Sequence, residues 1–559
     1  MLDSLVVGGK GIAIVPQSSM TGKSKEEQQI KEEILKNHTL EGTIMLQKDT
    51  FYGVGVIPCI AVFTAGVPHP KNHVCKFINF EDDGFKVAPH IGLEETVSAK
   101  DKKQHLLDVW FNRMEANTKF CVKTTATAED EWLHSFYYFN DEIPTDKDFE
   151  KTVGDYLTFE FSMIMQGRKY LFENDASEAL KKNFKSELTN KEWREFKISD
   201  VFNVCGTITT KPQDLLFNGT VPRITCSATN NALDNFYRNK ATEKGGVITI
   251  DSATIGFVSY QGQDFIATDH VEKLESKNSA YISRFIGLFE KQSIDKATLS
   301  KYGYGYKFAQ QRIKRQTILL PVTLTGEIDF DFMESYIKEV EEQKIEEYRM
   351  YASNCVRECL LKENQNAEKL EEKEWKPFYL KEIFTSVQRG KRLTKDNQKL
   401  GTVPYVSSSA LNNGVDNYIS NDIGVRKFEN CLSLANSGSV GSCFYEPFEF
   451  VASDHVTHLK NPERNKYQYL FEATLLNRLS EKYNFNREIN DERISKEIIL
   501  LPIDSSGNPD YEFMERYIKK VMQEKYNAYL SYKKNENNLK IKNFDNLQVT
   551  EKSIPYDNK

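Results

Sequence analysis

Two rhythms of apolar residues run through the chain. Near the start, Gly8-Gly9-Lys10-Gly11 leads into Ile12–Val15, a turn entering a short apolar run that reads as a buried strand. The charged segment from Lys25 to Asn37 predicts a helix. Thr43–Leu46 and Ile57–Thr64 are apolar runs of strand length that bracket Thr50-Phe51-Tyr52-Gly53-Val54-Gly55-Val56. From residue 328 the period lengthens. Phe332, Met333, Tyr336, Ile337, Val340, Ile345 and Tyr348 recur mostly at intervals of three and four with Glu and Lys between them, which predicts one helix over 328–372 with a single buried stripe. At about 1.5 Å per residue it would run roughly 60 Å. A second stripe through Tyr511, Met514, Tyr517, Ile518, Val521 and Met522 predicts a helix over 509–540, with Pro509 suited to its first turn. Two such stripes in one chain predict helices that pack on each other as a spacer.

The sequence repeats itself. Lys191-Glu192-Trp193 recurs as Lys373-Glu374-Trp375, and Gly219-Thr220-Val221-Pro222 as Gly401-Thr402-Val403-Pro404. Asp234-Asn235 returns as Asp416-Asn417, and Phe265 to Val271 as Phe450 to Val456. Ile318-Leu319-Leu320-Pro321 matches Ile499-Leu500-Leu501-Pro502. Small drifts about a near-constant offset are what loop insertions in a duplicated domain produce. The expected organisation is therefore an N-terminal domain over 1–185, a first copy over 191–325, helix 328–372, a second copy over 373–505, helix 509–540 and a tail over 541–559.

Composition narrows the classes. Hydrophobic residues make up 39% and aromatic residues 12%, too much for a disordered chain. No run of about 18 apolar residues is present, so no membrane partner is expected. The 9 cysteines lack framework spacing, which predicts reduced thiols and a cytoplasmic protein. The net charge of −7 gives no general attraction to nucleic acid, but acidic residues concentrate in the first third and in the first long helix.

Isolated chemical motifs dissolve on inspection. Thr21-Gly22-Lys23-Ser24 ends like a phosphate-binding loop, yet Gln17 stands where its first glycine belongs. Glu342-Gln343-Lys344 matches a nuclease string but lies on the long helix. Cys355 and Cys359 are one helical turn apart without companion ligands, so no metal site is expected. Asp269-His270 and Asp454-His455 could be acid–base dyads, but their occurrence in both copies favours a shared structural bond. Asn508-Pro509-Asp510-Tyr511 lacks a second proline and reads as a helix start.

The order of globular domain, long helix, second copy and second helix closely resembles the specificity subunits of type I restriction–modification systems, over roughly 191–535. The resemblance implies two mixed α+β target recognition domains, each reading half of a split DNA sequence, joined by long helices in an antiparallel coiled coil that sets the spacing. Residues 1–165 resemble the C-terminal half of the catalytic domain of adenine-N6 DNA methyltransferases, through the Gly8–Pro16 strand entry, the Phe51-Tyr52 segment and Phe80-Glu81-Asp82-Asp83-Gly84-Phe85. The expected fold is thus a truncated α/β methyltransferase half followed by two duplicated mixed domains.

In that family S-adenosylmethionine sits on a Gly-rich loop, and an Asn-Pro-Pro-Tyr motif holds the flipped adenine. Neither motif is present, so the resemblance implies no catalytic residue and no cofactor bound by this chain alone. S-Adenosylmethionine would belong to a partner. Implied partners are double-stranded DNA and methyltransferase subunits or the missing N-terminal half, with a restriction subunit as a further possibility. Phe51 or Tyr52 would stack on the extruded base; the alternative is that both pack the sheet.

Domains that read different half-sites should share their scaffold and differ where they touch bases. The divergent segments are 203–218 against 385–400, 236–247 against 418–430, and 300–315 against 481–496. They nominate Lys301, Tyr302, Tyr304, Tyr306, Lys307, Arg312, Lys314 and Arg315 in the first copy. The second copy offers Arg389, Lys391, Arg392, Lys395, Lys482, Tyr483, Arg487 and Arg493. Interleaved aromatics and cations suit a loop facing phosphates and base edges, or tyrosines packing a loop beneath solvated lysines. The reading is a specificity subunit that directs adenine-N6 methylation, and potentially cleavage, by partners. Two alternatives stay open: half of a split methyltransferase or methyltransferase–nuclease completed by another chain, and a decayed, non-catalytic DNA-binding assembly module.

Overall fold

The computed structural model describes residues 1–542 except 23, 89–91, 174–183, 229, 254–255, 279–282, 300, 304, 361–368 and 484–486. The chain forms two compact units. One joins Met1–Met163 to Asn354–Tyr529, and the other holds Ile164–Ser353 together with the residues from Leu530 onward.

The N-terminal part of the first unit is built on strands β1 (Lys10–Pro16), β2 (Thr39–Leu46), β3 (Pro58–Thr64), β4 (Cys75–Phe80) and β5 (Cys121–Thr124), in the order β1-β3-β2-β4-β5. Only β2 and β4 run parallel, so the sheet is mixed. Strand β2 is central and apolar on both faces, as the continuous run through Ile44-Met45-Leu46 requires. Gly42 sits at its bulge, where an added Cβ would lie 1.9 Å from the Lys76 carbonyl oxygen.

Helix α1 (Lys25–Asn37) starts at a capping box between Ser24 and Glu27. It packs on one face of the sheet with the buried Trp132, and α2 (Ala99–Trp110) covers part of the other. Strand β1 forms an edge and leaves Ile12 and Ile14 65% and 59% exposed, so the run read as a buried strand is half uncovered. Helix α3 (Asp146–Met165) closes this part.

The first copy contains β6 (Trp193–Lys197), β7 (Phe202–Gly206), β8 (Phe217–Ile224), β9 (Leu233–Tyr237), β10 (Val247–Asp251), β11 (Val258–Gln261), β12 (Ile266–Ala267) and β13 (Val271–Ser276). Helices α4 (Arg284–Thr298) and α5 (Gln310–Arg315), strand β14 (Thr317–Pro321) and the long α6 (Phe330–Cys359) follow. Its sheets are ordered β11-β10-β13-β7, β9-β8-β12 and β14-β6. The second copy repeats them with β15 (Trp375–Tyr379), β16 (Ser386–Arg389), β17 (Leu400–Val406), β18 (Val415–Ile419), β19 (Lys427–Phe428), β20 (Cys431–Ala435), β21 (Cys443–Glu446), β22 (Phe450–Ala452) and β23 (Val456–Lys460). Helices α7 (Lys466–Asn477) and α8 (Asp491–Ser495), strand β24 (Ile498–Pro502) and α9 (Tyr511–Lys542) complete it. The orders β21-β20-β23-β16 and β24-β15 match those of the first copy, and the third sheet gains β19 as β18-β17-β22-β19.

Helix α6 ends at Cys359 rather than near residue 372, and Leu370–Glu372 forms a separate turn whose Leu370 carbonyl accepts the Trp375 indole N–H. At 30 residues, α6 spans about 45 Å. Asp329 and Asp510, not Pro509, begin the two long helices. Each carboxylate accepts the backbone N–H three residues on, from Phe332 and Phe513. Most of the predicted tail lies outside the described residues.

The two copies differ on one helix. In α4 buried and exposed residues alternate with the helical period, whereas every residue of α7 from Tyr467 to Leu476 is buried. Helix α3 contributes to the extra burial. Phe149 packs on Phe471 and Tyr517 at ring distances of 4.5 and 5.0 Å, and Tyr156 packs on Tyr445 at 5.8 Å.

Candidate nucleic-acid interface

Side chains that build the two copies correspond bond for bond. Lys191 pairs with Asp329 at 2.5 Å and Lys373 with Asp510 at 2.6 Å. The Trp193 and Trp375 indoles donate to the Leu188 and Leu370 carbonyls. Asn231 and Asn413, both in the left-handed region, donate to the Tyr260 and Tyr445 carbonyls. Behind the two Asp-His pairs, the His270 and His455 carbonyls accept the backbone N–H of Ser252 and Asn436. The carboxylates themselves stand 3.6 and 4.0 Å from their histidines, the first pair exposed, and His455 Nδ1 is hydrogen-bonded to the Ser437 hydroxyl.

The same comparison relocates several nominated residues. Lys301 Nζ and the Tyr302 hydroxyl both donate to Gln316 Oε1, at 2.7 and 3.0 Å; Lys482 and Tyr483 make the equivalent bonds to Glu497, at 2.9 and 2.6 Å. These four close the loop onto its own scaffold. Tyr483 is buried and the Lys482 side chain is 8% exposed, and burial lowers the lysine pKa against the pull of Glu497.

Arg487 lies over Tyr483 and, with Arg493, binds Glu131 at 3.0 and 2.7 Å. Side-chain exposures of 8%, 6% and 12% make this a buried triad. Burial alone would raise the Glu131 carboxyl, but the Arg487 charge and the Arg493 hydrogen bond outweigh it and hold the pKa below the usual range. The expected exposed loop therefore does not hold for Lys482, Tyr483, Arg487 and Arg493. Aromatic–cation interleaving arises there because rings and guanidinium groups stack while the loop folds back.

In the first copy, Tyr306 is 51% exposed beneath Arg312, whose guanidinium sits 4.0 Å from the ring centroid and donates to the Lys307 carbonyl. Lys307 and Arg315 are exposed and Lys314 is half-buried. Tyr304, like Phe485 in the matching segment, lies outside the described residues. Phe51 and Tyr52 are 46% and 52% exposed in the turn after β2, so neither packs the sheet core.

The loops entering β8 and β17 behave differently. Leu216 and Lys399 donate their backbone N–H to the Asn239 and Asn421 side chains, both at 2.8 Å. Those amides donate in turn to the Asp214 and Asn397 carbonyls at 2.8 and 2.9 Å. Identical anchors thus hold two exposed loops of unlike sequence. Lys391, Arg392, Lys395 and Lys399 stand on the second, exposed and without a side-chain partner among the described residues. Arg389, at the loop's base, donates to the Ile489 carbonyl at 3.2 Å and faces Asp491. Sequence reading marked the segments 203–218 and 385–400 but did not single out Ile208, Leu216, Phe217 or Lys399. The repeated asparagines at 239 and 421 were the available signal.

The cavity at the carboxyl ends of the N-terminal strands is too small for S-adenosylmethionine. There Gln17, Met45, Asn79 and Glu81 face Lys119, His134, Lys482 and Arg487 around a space of about 60 Å³. Pockets that bury a ligand of this size hold about 300 Å³ or more. No cluster of metal-ligating side chains occurs among the described residues.

Comparison with known proteins places these features. The N-6 DNA methylase family model matches residues 1–158. The type II restriction enzyme and methyltransferase RM.BcgI of Heyndrickxia coagulans is 55% identical over 172 residues, 31% of this chain; the chain spans only 27% of that relative's length. The type II restriction enzyme specificity subunit S.BcgI of the same organism is 31% identical over 342 residues, 59% of this chain and 94% of that protein. The solved type I restriction-modification S subunit from M. genitalium covers 61% of this chain and 93% of its own, at 12% identity and a TM-score of 0.34. The model for the type I restriction modification DNA specificity domain matches twice, at 190–348 and 372–530, and with more than half its length so matched the chain belongs to that family.

Proposed function

We propose that the chain is the DNA-specificity element of a restriction–modification system, each copy reading one half of a bipartite duplex target for adenine-N6 methylation. The observation that carries this is the pair of exposed loops held on identical asparagine anchors with unlike sequences, a constant frame presenting variable readers. Helices α6 and α9 act as the spacer between half-sites, paired as an antiparallel coiled coil. The N-terminal part contributes to a methyltransferase whose S-adenosylmethionine is held by a companion polypeptide, with Phe51 or Tyr52 available to stack on an extruded adenine.

The edge strand β1 supports the companion. Its unpaired side and the exposed Ile12 and Ile14 suit an added strand, and beside it Lys10, Ile12, Val62, Val74 and Trp110 line a groove of about 410 Å³. Long-read sequencing for N6-methyladenine in host DNA, with and without this gene, tests the proposal. Loss of a bipartite methylated motif on deletion is expected. An unchanged methylome would refute the directing role and favour a passive DNA-binding module.

A further inference from the structure

The anchored loops carry opposite chemistry. In the first copy the loop starts where Thr210 N–H meets the Ala267 carbonyl, passes a turn at Pro212–Asp214 and enters β8; in the second it starts where Lys391 N–H meets the Ala452 carbonyl and passes a turn at Lys395–Asn397. The first copy displays Ile208 just before this loop and Leu216 and Phe217 at its end, at 62%, 54% and 59% exposure, with Lys211 and Asp214 exposed between them. The second displays Lys391, Arg392, Lys395 and Lys399, with Lys399 occupying the anchored position of Leu216. Phe217 has an apolar counterpart in Leu400, 90% exposed, so the loops share an apolar end and differ in what precedes it. Phe217 also packs on the Tyr237 ring at 5.5 Å, while the other side chains of both sets stand in solvent. An isoleucine, a leucine and a phenylalanine held in water are costly unless a ligand covers them.

We infer that the two copies read DNA by different chemistry: the first through apolar contacts to thymine methyl groups, the second through cationic contacts to phosphates and a guanine edge. This rests on the DNA-reading assignment above and specifies the bases each half-site contains. In the major groove only thymine offers a methyl group, whereas guanine presents two acceptors that an arginine such as Arg392 engages together. Against the four cations of the second loop the first has one, Lys211, with Arg238 and Lys240 on the neighbouring segment, and Arg238 Nε is engaged by the Phe217 carbonyl at 2.9 Å.

The test uses the full chain and a randomised duplex DNA pool, followed by titration of the selected duplex across salt concentrations. Alanine at Lys391, Arg392, Lys395 and Lys399 together should flatten the dependence of log K on log salt by about 2 to 4, at about 0.9 per lost phosphate contact, and erase base preference in one half-site only. Serine at Ile208, Leu216 and Phe217 should leave that slope within about 0.5. Uracil in place of thymine in the other half-site should weaken the unaltered chain roughly fourfold per buried methyl, and should not affect the serine variant. Indifference to uracil, or an unchanged slope in the alanine variant, overturns the inference while DNA reading survives. Failure of the unaltered chain to bind the pool even at low salt removes the DNA-reading assignment and the inference together.

Discussion

Replacing Glu131 with alanine should loosen the hold between the N-terminal part and the second copy. The carboxylate lies 3.0 Å from Arg487 and 2.7 Å from Arg493, and all three side chains are at most 12% exposed. Its removal leaves two guanidinium groups buried without a counter-charge, which costs about 3–5 kcal/mol, far more than loss of a surface pair. At 1.36 kcal/mol per tenfold, local opening of residues 131–163 should become at least 100-fold more frequent. Amide hydrogen exchange read by mass spectrometry on this segment measures it, and fluorescence of the buried Trp132 gives a second signal. Substituting Arg487 by methionine and Arg493 by leucine in the same variant should restore most of the protection, because no unpaired charge remains. Exchange within threefold of the unaltered chain in Glu131→Ala would refute the reasoning, as would a triple variant no better protected than the single.

Glu446 is fully buried and raised to about 8 by burial, against the lowering effect of hydrogen bonds from Ser433 and Asn413. Its folded pKa lies above the unfolded value, so the stability it gives is complete below about pH 4.5 and is lost as pH rises towards 8, on the order of 4–5 kcal/mol. The first copy holds Gln261 at this place, and Glu446→Gln should remove that loss; urea denaturation at pH 6 and pH 8.5 checks it, and an unchanged difference between the two would contradict the assignment. Gly42→Ala should disrupt the β2–β4 pairing by more than about 3 kcal/mol, since its Cβ meets backbone; a soluble variant with unaltered thermal unfolding would argue against the bulge geometry. A seven-residue insertion in the middle of α6 should lengthen the non-specific spacer in the methylated motif, and an unchanged spacer would argue against a helical ruler.

Much of the fold was legible because duplication leaves two witnesses to each scaffold position. Lys191 with Lys373 and Trp193 with Trp375 recur because each makes the same ion pair or indole bond. The long helices were visible in their apolar stripes, but the end of α6 at Cys359 was not, since Glu/Lys-rich sequence continues beyond it. The reading loops were partly legible. Divergence pointed at 385–400, whose lysines and Arg392 stand in solvent, yet at 481–496 it picked out arginines that face Glu131, more than 350 residues away in sequence. Stacked aromatics and cations look alike whether they await a phosphate or already hold a carboxylate. Burial distinguishes them, and burial depends on the partner segment.

The unequal helices α4 and α7 bear on how such a protein can change its target. A domain exchanged into the 373–505 position must bring a helix that can be buried all round, a phenylalanine beneath Phe149 and two arginines for Glu131. At the 191–325 position the matching helix asks only for one apolar face. Recombination should therefore succeed more often at the first position, and among descendants of one ancestor the half-site read by the first copy should diversify faster.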